Sequence, residues 1–372
     1  MARLDQICAL NMGQSPDSSS YNENGEGMPF FQGNADFGKI HPKVRVWCSA
    51  PTKIAHAGDV LISVRAPIGA LNIADRECCI GRGLAALTVN ETLCDKDYLW
   101  HAIASKVDEL NSKGTGSTFK AISKSVLAET DIPLPSLDEQ KIIAECLTKV
   151  DELIALRKEQ LAKLDQLVKS RFIELFGDPI SNPKGWKVDK VENHIDLLSG
   201  FPFDSSQYTE SGINICGGLI IMPQRIEWND CKHWRSVEGY EEYALKENDI
   251  VIALDRPWIS EGFKIAVVDA EHLPALLIQR TARIRAIGIN QMYLLYCFLL
   301  GGFDKHCNVT GSLVPHISAK DIRSFAIMLP PVEIQEQFAT FVEQTDKSKL
   351  VIQQSLNKLE TLKKSLMQEY FG

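Results

Sequence analysis

The sequence predicts an α+β protein in which two similar domains are joined by two long antiparallel coiled-coil helices. Residues 98–177 align without a gap with residues 293–372, which makes the second stretch an internal repeat of the first. Short β-type segments precede each repeated stretch, and each copy ends in a long stretch without Gly or Pro that has helical periodicity. Such a duplication implies an approximate two-fold axis, which suits a ligand with its own two-fold character. Duplex DNA is the commonest such ligand.

The composition is that of an ordinary globular protein with two or three domains. The chain has 372 residues, of which 45% are hydrophobic and 24% charged. Ten scattered cysteines without a C-x-x-C pair favour reduced thiols, and the sequence shows no signal segment, so we expect a cytoplasmic protein. The net charge of −8 argues against a chain that binds DNA alone. If it binds DNA, its positive charge must be local or partly supplied by another subunit.

The first part of each copy, residues 1–135 and 178–330, predicts a compact α+β domain. Residues 59–64 and 249–254 are apolar runs introduced by polar residues and predict buried strands. Helical stretches follow at 97–110 and 290–303. We expect a twisted, mostly antiparallel sheet in each domain.

The second part of each copy predicts one long helix that needs a partner. Prolines at 133 and 135, or at 330 and 331, mark the start, and Ser136 with Glu139 forms a plausible capping box. Apolar residues then recur at steps of three and four, a stripe too narrow for a solitary helix. The predicted spacer and docking residues are Leu147, Val150, Ile154, Leu161, Leu164, Val168, Ile352, Leu356, Leu359 and Leu366.

Four cations interrupt these stripes, at different positions in the two helices. Arg157 and Arg171 fall where the second helix has apolar residues, and Lys349 and Lys363 fall where the first helix does. Pairing one helix with the other therefore avoids stacking like charges inside the seam. Alternatively, all four cations lie at the seam edge and extend to water.

The sequence predicts no catalytic or metal site. It contains no G-x-x-x-x-G-K-[ST] loop and no G-x-G-x-x-G after a strand, and its histidines lack metal-ligand spacing. What remains are loop residues suited to base edges and phosphates, including a Thr-Gly-Ser turn and an arginine (Arg82, Arg280) that recur in both copies. The candidates are Gln14, Ser15, Gln32, Asn34, Arg65, Arg82, Lys113, Thr115, Ser117, Lys120, Arg256, Trp258, Gln279, Arg280, Thr281, Thr310, Ser312 and His316. Arg283 and Arg285, which follow Thr281 in the sequence, are predicted to contribute as well.

Several segments resemble the specificity subunit of type I restriction-modification enzymes. They are residues 132–140 (IPLPSLDEQ) entering the long helix, 175–179 (LFGDP) and 182–186 (NPKGW). Residues 13–16, 21–23 and 31–33, with 66–69 and 80–83, are similar to the opening of a target recognition domain. The likeness covers the whole length, including the duplication.

That resemblance implies a non-catalytic subunit with target recognition domains at 1–135 and 178–330. Each would read one half of a bipartite DNA site, and spacer helices at 136–177 and 331–372 would fix the distance between the halves. The resemblance further implies two methyltransferase subunits, which methylate adenine N6, and restriction subunits bound through them. S-adenosylmethionine, ATP and Mg would be bound by those partners, not by this chain. In the second copy Ile334 replaces the acidic residue before the glutamine, which leaves equal docking on both helices open.

Two other functions stay open at this point. The same scaffold could serve a modification-only or phage-defence methyltransferase that has no restriction partner. A protein-only coiled-coil scaffold is the remote alternative, and it would show no sequence-dependent binding of a DNA probe.

Overall fold

A computed structural model describes residues 1–116, 120–310 and 314–372. The chain divides into two compact units. The first unit comprises Met1–Glu159 and Gln353–Gly372, and the second comprises Gln160–Ile352. The boundaries at 159/160 and 352/353 each fall inside one of the two long helices, so each unit contains a part of both helices.

The first unit contains two main sheets and a two-stranded pair. Its strands are β1 (Ala2–Arg3), β2 (Cys8–Met12), β3 (Tyr21–Asn22), β4 (Met28–Phe31), β5 (Val46–Cys48), β6 (Ile54–Ala55), β7 (Val60–Ser63), β8 (Leu71–Ile73), β9 (Cys78–Ile80), β10 (Leu84–Val89) and β11 (Asp131–Ile132). One sheet has the order β2-β10-β7-β8, the other β3-β5-β4-β9-β6, and β1 pairs with β11. All pairs are antiparallel except β4 with β9.

The helices of this unit cover one face of the first sheet. They are α1 (Leu4–Ile7), α2 (Lys96–Ser105), α3 (Val107–Lys113), α4 (Lys124–Ala128) and the start of α5 (Leu137–Phe176), with short 3-10 turns at Ser18–Ser20 and Asn34–Asp36. Apolar side chains of β2, β7 and β10 pack there against Tyr98 and Leu99 of α2 and Leu147 of α5. The predicted helix at 97–110 is therefore two helices, α2 and α3, divided at Lys106.

The second unit repeats this topology with different loops. Its strands are β12 (Val188–Lys190), β13 (Ile195–Ser199), β14 (Ile213–Cys216), β15 (Ile221–Met222), β16 (Arg225–Ile226), β17 (Lys232–Trp234), β18 (Ile250–Ala253), β19 (Trp258–Ile259), β20 (Gly262–Phe263), β21 (Ile265–Val267), β22 (Ala275–Leu277), β23 (Thr281–Ala286) and β24 (Ala326–Met328). The sheet β13-β23-β18-β21 matches β2-β10-β7-β8 of the first unit. The three-stranded sheet β17-β14-β22 matches only β5-β4-β9 of the five-stranded sheet, with β14 and β22 parallel. The predicted strands at 59–64 and 249–254 are confirmed as β7 and β18.

The helices of the second unit lie at the positions that the repeat predicts. They are α6 (Gln291–Leu300), α7 (Phe303–His306), α8 (Ala319–Ser324) and the start of α9 (Val332–Phe371), with 3-10 turns at Val191–His194, Ser205–Gln207, Trp228–Asp230 and Glu241–Tyr243. Helices α5 and α9 begin and end at equivalent positions of the repeat. At the start of α5, Ser136 and Glu139 form the predicted capping box, with Ser136 Oγ 2.7 Å from a Glu139 carboxylate oxygen.

The two long helices pair in antiparallel fashion within each unit. In the first unit Lys363 of α9 donates to Asp151 of α5 at 2.5 Å. In the second unit Lys349 lies 2.7 Å from Asp165. Both lysines are partly buried at the seam edge and reach a carboxylate of the opposite helix. Each of these pairs therefore sets unlike charges against each other, with the side chain of Lys363 35% exposed and that of Lys349 20% exposed.

The predicted spacer residues lie in or beside this seam. Leu147, Val150, Ile154, Val168 and Leu356 are buried. Leu161, Leu164, Ile352, Leu359 and Leu366 are half-buried. Leu147 and Val168 also belong to the hydrophobic cores of their units. The five buried side chains therefore leave little surface for a docking partner, and the spacer role of the ten residues stays a prediction.

A buried glutamine ties each long helix to the domain in front of it. Gln140 donates to the carbonyls of Leu93 and Pro135 and accepts from the Asp95 amide at 2.8 Å. Gln335 accepts from the Asn290 amide and donates to the Pro330 carbonyl, both at 2.8 Å. Asp95 and Asn290 are the N-cap residues of α2 and α6. One side chain thus fixes both the entry to the long helix and the cap of the preceding helix.

Candidate nucleic-acid interface

In the first unit, five loops meet at one edge. Four of them follow strands β2, β4, β7 and β9, and the fifth lies between helices α3 and α4. We call residues 13–15, 32–34, 64–66, 81–83 and 114–122, without the undescribed 117–119, the first loop edge. Main-chain bonds join these loops: Gly13 N–H to Leu84 O (2.9 Å), Gly83 N–H to Gln32 O (3.2 Å), Val64 N–H to Gly83 O (2.9 Å), Ile122 N–H to Val64 O (2.9 Å) and Ala66 N–H to Lys120 O (3.0 Å). They hold the loops in place through the main chain, and Gly13 and Gly83 are required there because a Cβ atom at either would lie within 2.4 Å of a carbonyl oxygen.

The first loop edge gathers most of the candidates predicted for this unit. Gln14, Gln32, Arg65, Arg82, Thr115 and Lys120 are exposed there, and Ser15 and Asn34 are half-buried. Ser15 Oγ accepts a bond from the Arg82 amide at 3.3 Å. Lys113 ends helix α3 and pairs with Glu109 at 2.6 Å, so its charge is partly neutralised. Ser117 lies outside the described residues.

The second unit builds a corresponding edge with matching main-chain bonds. The second loop edge comprises residues 200–201, 217–219, 254–256, 278–280 and 310–317, without the undescribed 311–313. Its bonds are Gly200 N–H to Thr281 O (3.0 Å), Leu254 N–H to Arg280 O (2.9 Å), Ile317 N–H to Leu254 O (2.9 Å) and Arg256 N–H to Pro315 O (2.7 Å). In the last two bonds, Ile317 and Pro315 are the repeat equivalents of Ile122 and Lys120.

Cationic and polar side chains project from this second edge. Gln279, Arg256 and Arg280 are exposed, and Arg280 lies 3.7 Å from the Asp255 carboxylate. Thr310 bonds His316 through its hydroxyl at 2.7 Å and through both main chains. Ser312 lies outside the described residues. The edge offers donors for phosphate and base edges, as direct readout requires.

Two arginines of the second edge adopt a backbone conformation that non-glycine residues rarely use. Arg256 has φ +44° and Arg280 has φ +65°. Left-handed conformations cost on the order of 1 kcal/mol or more and cluster at functional sites, where the surroundings enforce them. The main-chain bonds of Arg256 and Arg280 provide that enforcement here.

Four candidates of the second unit do not reach this surface. Thr281 is buried, and its hydroxyl donates to the Ile278 carbonyl. Trp258 stacks on Phe263 with ring centroids 5.1 Å apart and belongs to the hydrophobic packing. Arg283 is buried and bonds Asp196 at 2.5 Å, while Arg285 forms a bidentate pair with Asp249. These four groups are packed or bonded within the fold, although the buried Arg283 Nε has no hydrogen-bond partner in the described part of the chain. Their role as DNA contacts stays a prediction that this placement does not favour.

The predicted match of Arg82 with Arg280 is wrong by one residue. Strand pairing sets Leu84 opposite Ser63 in the first unit and Thr281 opposite Ala253 in the second, so Leu84 corresponds to Thr281. Arg82 therefore corresponds to Gln279, and Arg280 takes the place of Gly83. The local offset differs from that of the gapless repeat, because the loops before the repeat differ in length between the two copies.

Sequence reasoning missed one buried cation at the second edge. Lys264, in the short link between β20 and β21, is buried, and its ammonium group donates to the Gly218 carbonyl. Burial lowers the pKa of Lys264, the nearby Arg256 acts in the same direction, and Asp255 opposes both. A lysine inside a β-type run looks like a surface residue, so no signal in the sequence indicates this tether.

A cluster of aromatic rings next to the second edge was also missed. Phe201 lies about 5 Å, between ring centroids, from three other rings of the group. The members are Phe201, Phe203, Tyr208, Trp234, Tyr240 and Tyr243. At the position of Phe201 the first unit has Gln14, as the bonds Gln14 N–H to Ile80 O and Phe201 N–H to Leu277 O show. The two edges therefore share a backbone and differ in side-chain chemistry.

The described part of the chain contains neither a cluster of metal-binding side chains nor a membrane-spanning helix. In residues 1–116, 120–310 and 314–372, no group of three or more His, Cys, Asp or Glu side chains is placed to hold a metal ion. Across the same described ranges, no helix is long and apolar enough to span a membrane.

Comparisons with known proteins match both parts of the duplication. The family model described as "Type I restriction modification DNA specificity domain" matches residues 1–166 and 185–361. A putative type I restriction enzyme MjaX specificity subunit of Methanocaldococcus jannaschii is 43% identical over 42% of the chain and 37% of its own length. The MjaVIII specificity subunit of the same organism is 26% identical over 76% of the chain and 71% of its length. The EcoAI specificity subunit of Escherichia coli is 26% identical over 77% of the chain and 48% of its length.

Solved structures share the fold over the whole chain. The S subunit of a type I restriction-modification system from M. genitalium superposes with a TM-score of 0.64 at 16% identity, covering 100% of this chain and 95% of that one. A chain from a structure on complex assembly and conformational transition of the type I R-M system gives 0.57 at 18% identity, covering 99% and 96%. Both support the α+β architecture with its internal repeat.

Proposed function

Since the chain belongs to the type I restriction modification DNA specificity family, we propose that its two loop edges each read one half of a bipartite site in duplex DNA. The observation that carries this proposal is the duplicated edge itself. Matching main-chain bonds build the same platform twice, and the platforms present different side chains. A protein that recognises two different half-sites needs this combination of a repeated backbone and diverged side chains.

In this proposal the helix pair sets the distance between the half-sites. An antiparallel pair held by apolar packing and by Lys363–Asp151 and Lys349–Asp165 cannot slide without breaking both. The chain itself catalyses nothing. Two methyltransferase subunits docked on it would methylate adenine N6 with S-adenosylmethionine, and restriction subunits bound through them would supply ATP- and Mg-dependent cleavage. The net charge of −8 is consistent with partners that contribute part of the phosphate contact.

Methylome sequencing of a host that carries this gene and its modification partner tests the proposal. We expect a bipartite motif. A first-edge variant, Gln32→Ala with Arg82→Ala, should relax or change one half only. A second-edge variant, Gln279→Ala with Arg280→Ala, should affect only the other half. Lys347→Ala, on the exposed face of α9, is the matched control and should leave the motif unchanged.

Three outcomes would contradict the proposal or a part of it. If either double variant changes both halves, or neither changes any, the two-edge model is wrong. If the chain with its partner shows no sequence-dependent shift of a DNA probe, the protein-only scaffold is favoured. If the reconstituted complex methylates its motif but never cleaves unmethylated DNA with ATP, the protein serves a modification-only enzyme.

A further inference from the structure

The second loop edge carries an apolar side chain that the fold does not use. Leu219 is 88% exposed, more than any other large hydrophobic residue in the described part of the chain. It stands at the tip of a turn that begins with Gly217 and Gly218. Isolated exposed leucines are common on protein surfaces, so its exposure alone indicates nothing. Its setting is what distinguishes it.

The turn beneath Leu219 is held from three sides. The amides of Ile220 and Ile221 both donate to the Gly217 carbonyl, at 3.2 and 3.4 Å, and both isoleucine side chains are buried. The buried Lys264 donates its ammonium group to the Gly218 carbonyl. The main chain of Leu219 therefore cannot fold back to cover its side chain without breaking these contacts, so on binding only the side chain, and not the turn, has to become ordered.

A cation contacts this turn, the ammonium group of Lys264, and the turn packs on the main chain beside a second, Arg280. A Cβ atom at Gly218 would lie 3.6 Å from the Arg280 carbonyl and 3.9 Å from Thr281 Cγ2, so the turn packs directly on the strand that begins there. Arg256 and the ammonium group of Lys264 belong to the same edge. An apolar group set among positive charges is suited to a polyanion that also presents a small apolar group.

The corresponding position in the first unit carries an amide. The parallel pairs Phe31–Ile80 and Cys216–Leu277 are equivalent, so Gln32-Gly33-Asn34 corresponds to Gly217-Gly218-Leu219. Asn34 is thus the counterpart of Leu219. In the major groove an Asn suits adenine, whereas an apolar side chain suits the 5-methyl group of thymine.

We propose that Leu219 contacts the 5-methyl group of a thymine in the half-site that the second unit reads. This inference rests on the proposed function and adds a specificity-determining residue to it. Thymine is the base that presents a methyl group in the major groove, so this contact distinguishes it from cytosine and from uracil. The two units would then read different bases with the same turn. The first unit would use the side-chain amide of Asn34, and the second would use the methyl groups of Leu219.

Uracil substitution tests the contact directly. Once the methylated motif is known, each thymine of the second half-site, on either strand, is replaced by uracil in a duplex probe. Binding of the full-length chain with its modification subunits is then measured. One methyl group is worth about 0.8 kcal/mol, so we expect about a fourfold loss of affinity at one position. Leu219→Ala should lose a similar factor on the thymine probe and show no further loss on uracil.

Control variants separate this contact from other effects. Leu350→Ala removes a leucine that is also mostly exposed, on α9, and should keep the full sensitivity to uracil. Leu219→Asn should change the preferred base at the same position of the methylated motif. Circular dichroism should be unchanged in all three variants, since neither leucine is buried.

The inference is overturned if no thymine position responds to uracil, or if Leu219→Ala remains as sensitive to uracil as the wild-type chain. A loss of binding in Leu219→Ala that uracil does not reproduce would indicate insertion between base pairs and would also overturn it. Failure of the proposed function has a different signature, because the wild-type complex would then not prefer its motif over a scrambled duplex.

Discussion

Replacing the buried glutamine at the start of a long helix should destabilise the unit to which it belongs. Gln140 is fully buried and makes three hydrogen bonds, whereas Gln335 makes the two described above. Leucine has a similar volume but neither donates nor accepts. At about 1 kcal/mol per lost bond, Gln140→Leu should lower the free energy of unfolding of the first unit by roughly 3 kcal/mol, and Gln335→Leu that of the second by roughly 2 kcal/mol.

Urea unfolding combined with hydrogen exchange measures both effects. Two units need not unfold together, so exchange of peptides from each unit is followed separately. The sharpest readout is one amide: Asp95 N–H should lose protection in Gln140→Leu, and Asn290 N–H in Gln335→Leu. Gln344→Leu, at an exposed position of α9, is the control and should change neither.

Two results would refute this reasoning. One is a loss for Gln140→Leu that is no larger than the control's. The other is a destabilised first unit in which the Asp95 amide remains as protected as in the wild-type chain, because the helix cap would then not depend on the glutamine.

Three further predictions concern the seam, a buried histidine and a strained arginine. A double-mutant cycle of Lys363→Met with Asp151→Asn, measured on the free energy of unfolding, should give a coupling energy of about 0.5–1 kcal/mol. The coupling energy should be smaller in 1 M salt, and a value that salt does not change would contradict an ionic contribution. Burial lowers the pKa of His101 below the ordinary value of 6.5, so the folded state keeps the ring neutral and the unfolded state binds the proton first. The free energy of unfolding should therefore fall as pH drops below 6.5, by at most about 1.4 kcal/mol per pH unit. In His101→Gln the urea midpoint of unfolding should depend less steeply on pH. A pH dependence equal to that of the wild-type chain would contradict this. Glycine adopts positive φ without strain, so Arg280→Gly should raise the unfolding free energy of the second unit by up to about 1 kcal/mol. The same variant should weaken DNA binding. A loss of stability would show that the main chain at Arg280 is not strained.

The helices and central strands could be predicted because their signals are local. An apolar stripe without Gly or Pro indicates α5 and α9, and Ser136 with Glu139 indicates the start of the first to within one residue. The runs at 59–64 and 249–254 lie in strands β7 and β18 with an error of one residue at either end. Each of these features depends on side chains close together in the sequence.

The placement of individual edge residues could not be predicted, for two physical reasons. Arg283 looks like a surface charge in the sequence, but it is buried against Asp196, which lies 87 residues away. The correspondence of Arg82 with Gln279 follows from strand register, and register is set by main-chain pairing and loop length. Neither cause leaves a local pattern in side chains. Leu219 was missed for the same reason, since its counterpart Asn34 lies outside the gapless repeat and is matched to it only through strand register.

The distribution of these bonds explains why the two copies stay alike in one region and diverge in another. At helices α2 and α6 and at the starts of α5 and α9, buried side chains make the repeated bonds: Gln140 and Gln335 hold the helix entries, and the buried Tyr98 and Tyr293 donate to the carbonyls of Pro133 and Met328 at 2.9 Å. Changing such a residue removes buried hydrogen bonds and destabilises the unit. At the loop edges, main-chain groups make the repeated bonds, so a side chain can be exchanged while the bond persists. Gly13, Gly83 and Gly200 are exceptions, because a Cβ atom at each would lie within 2.4 Å of a carbonyl oxygen. Substitution there can alter what is read without altering the platform, so new specificity can arise at the edges while the helix pair is preserved.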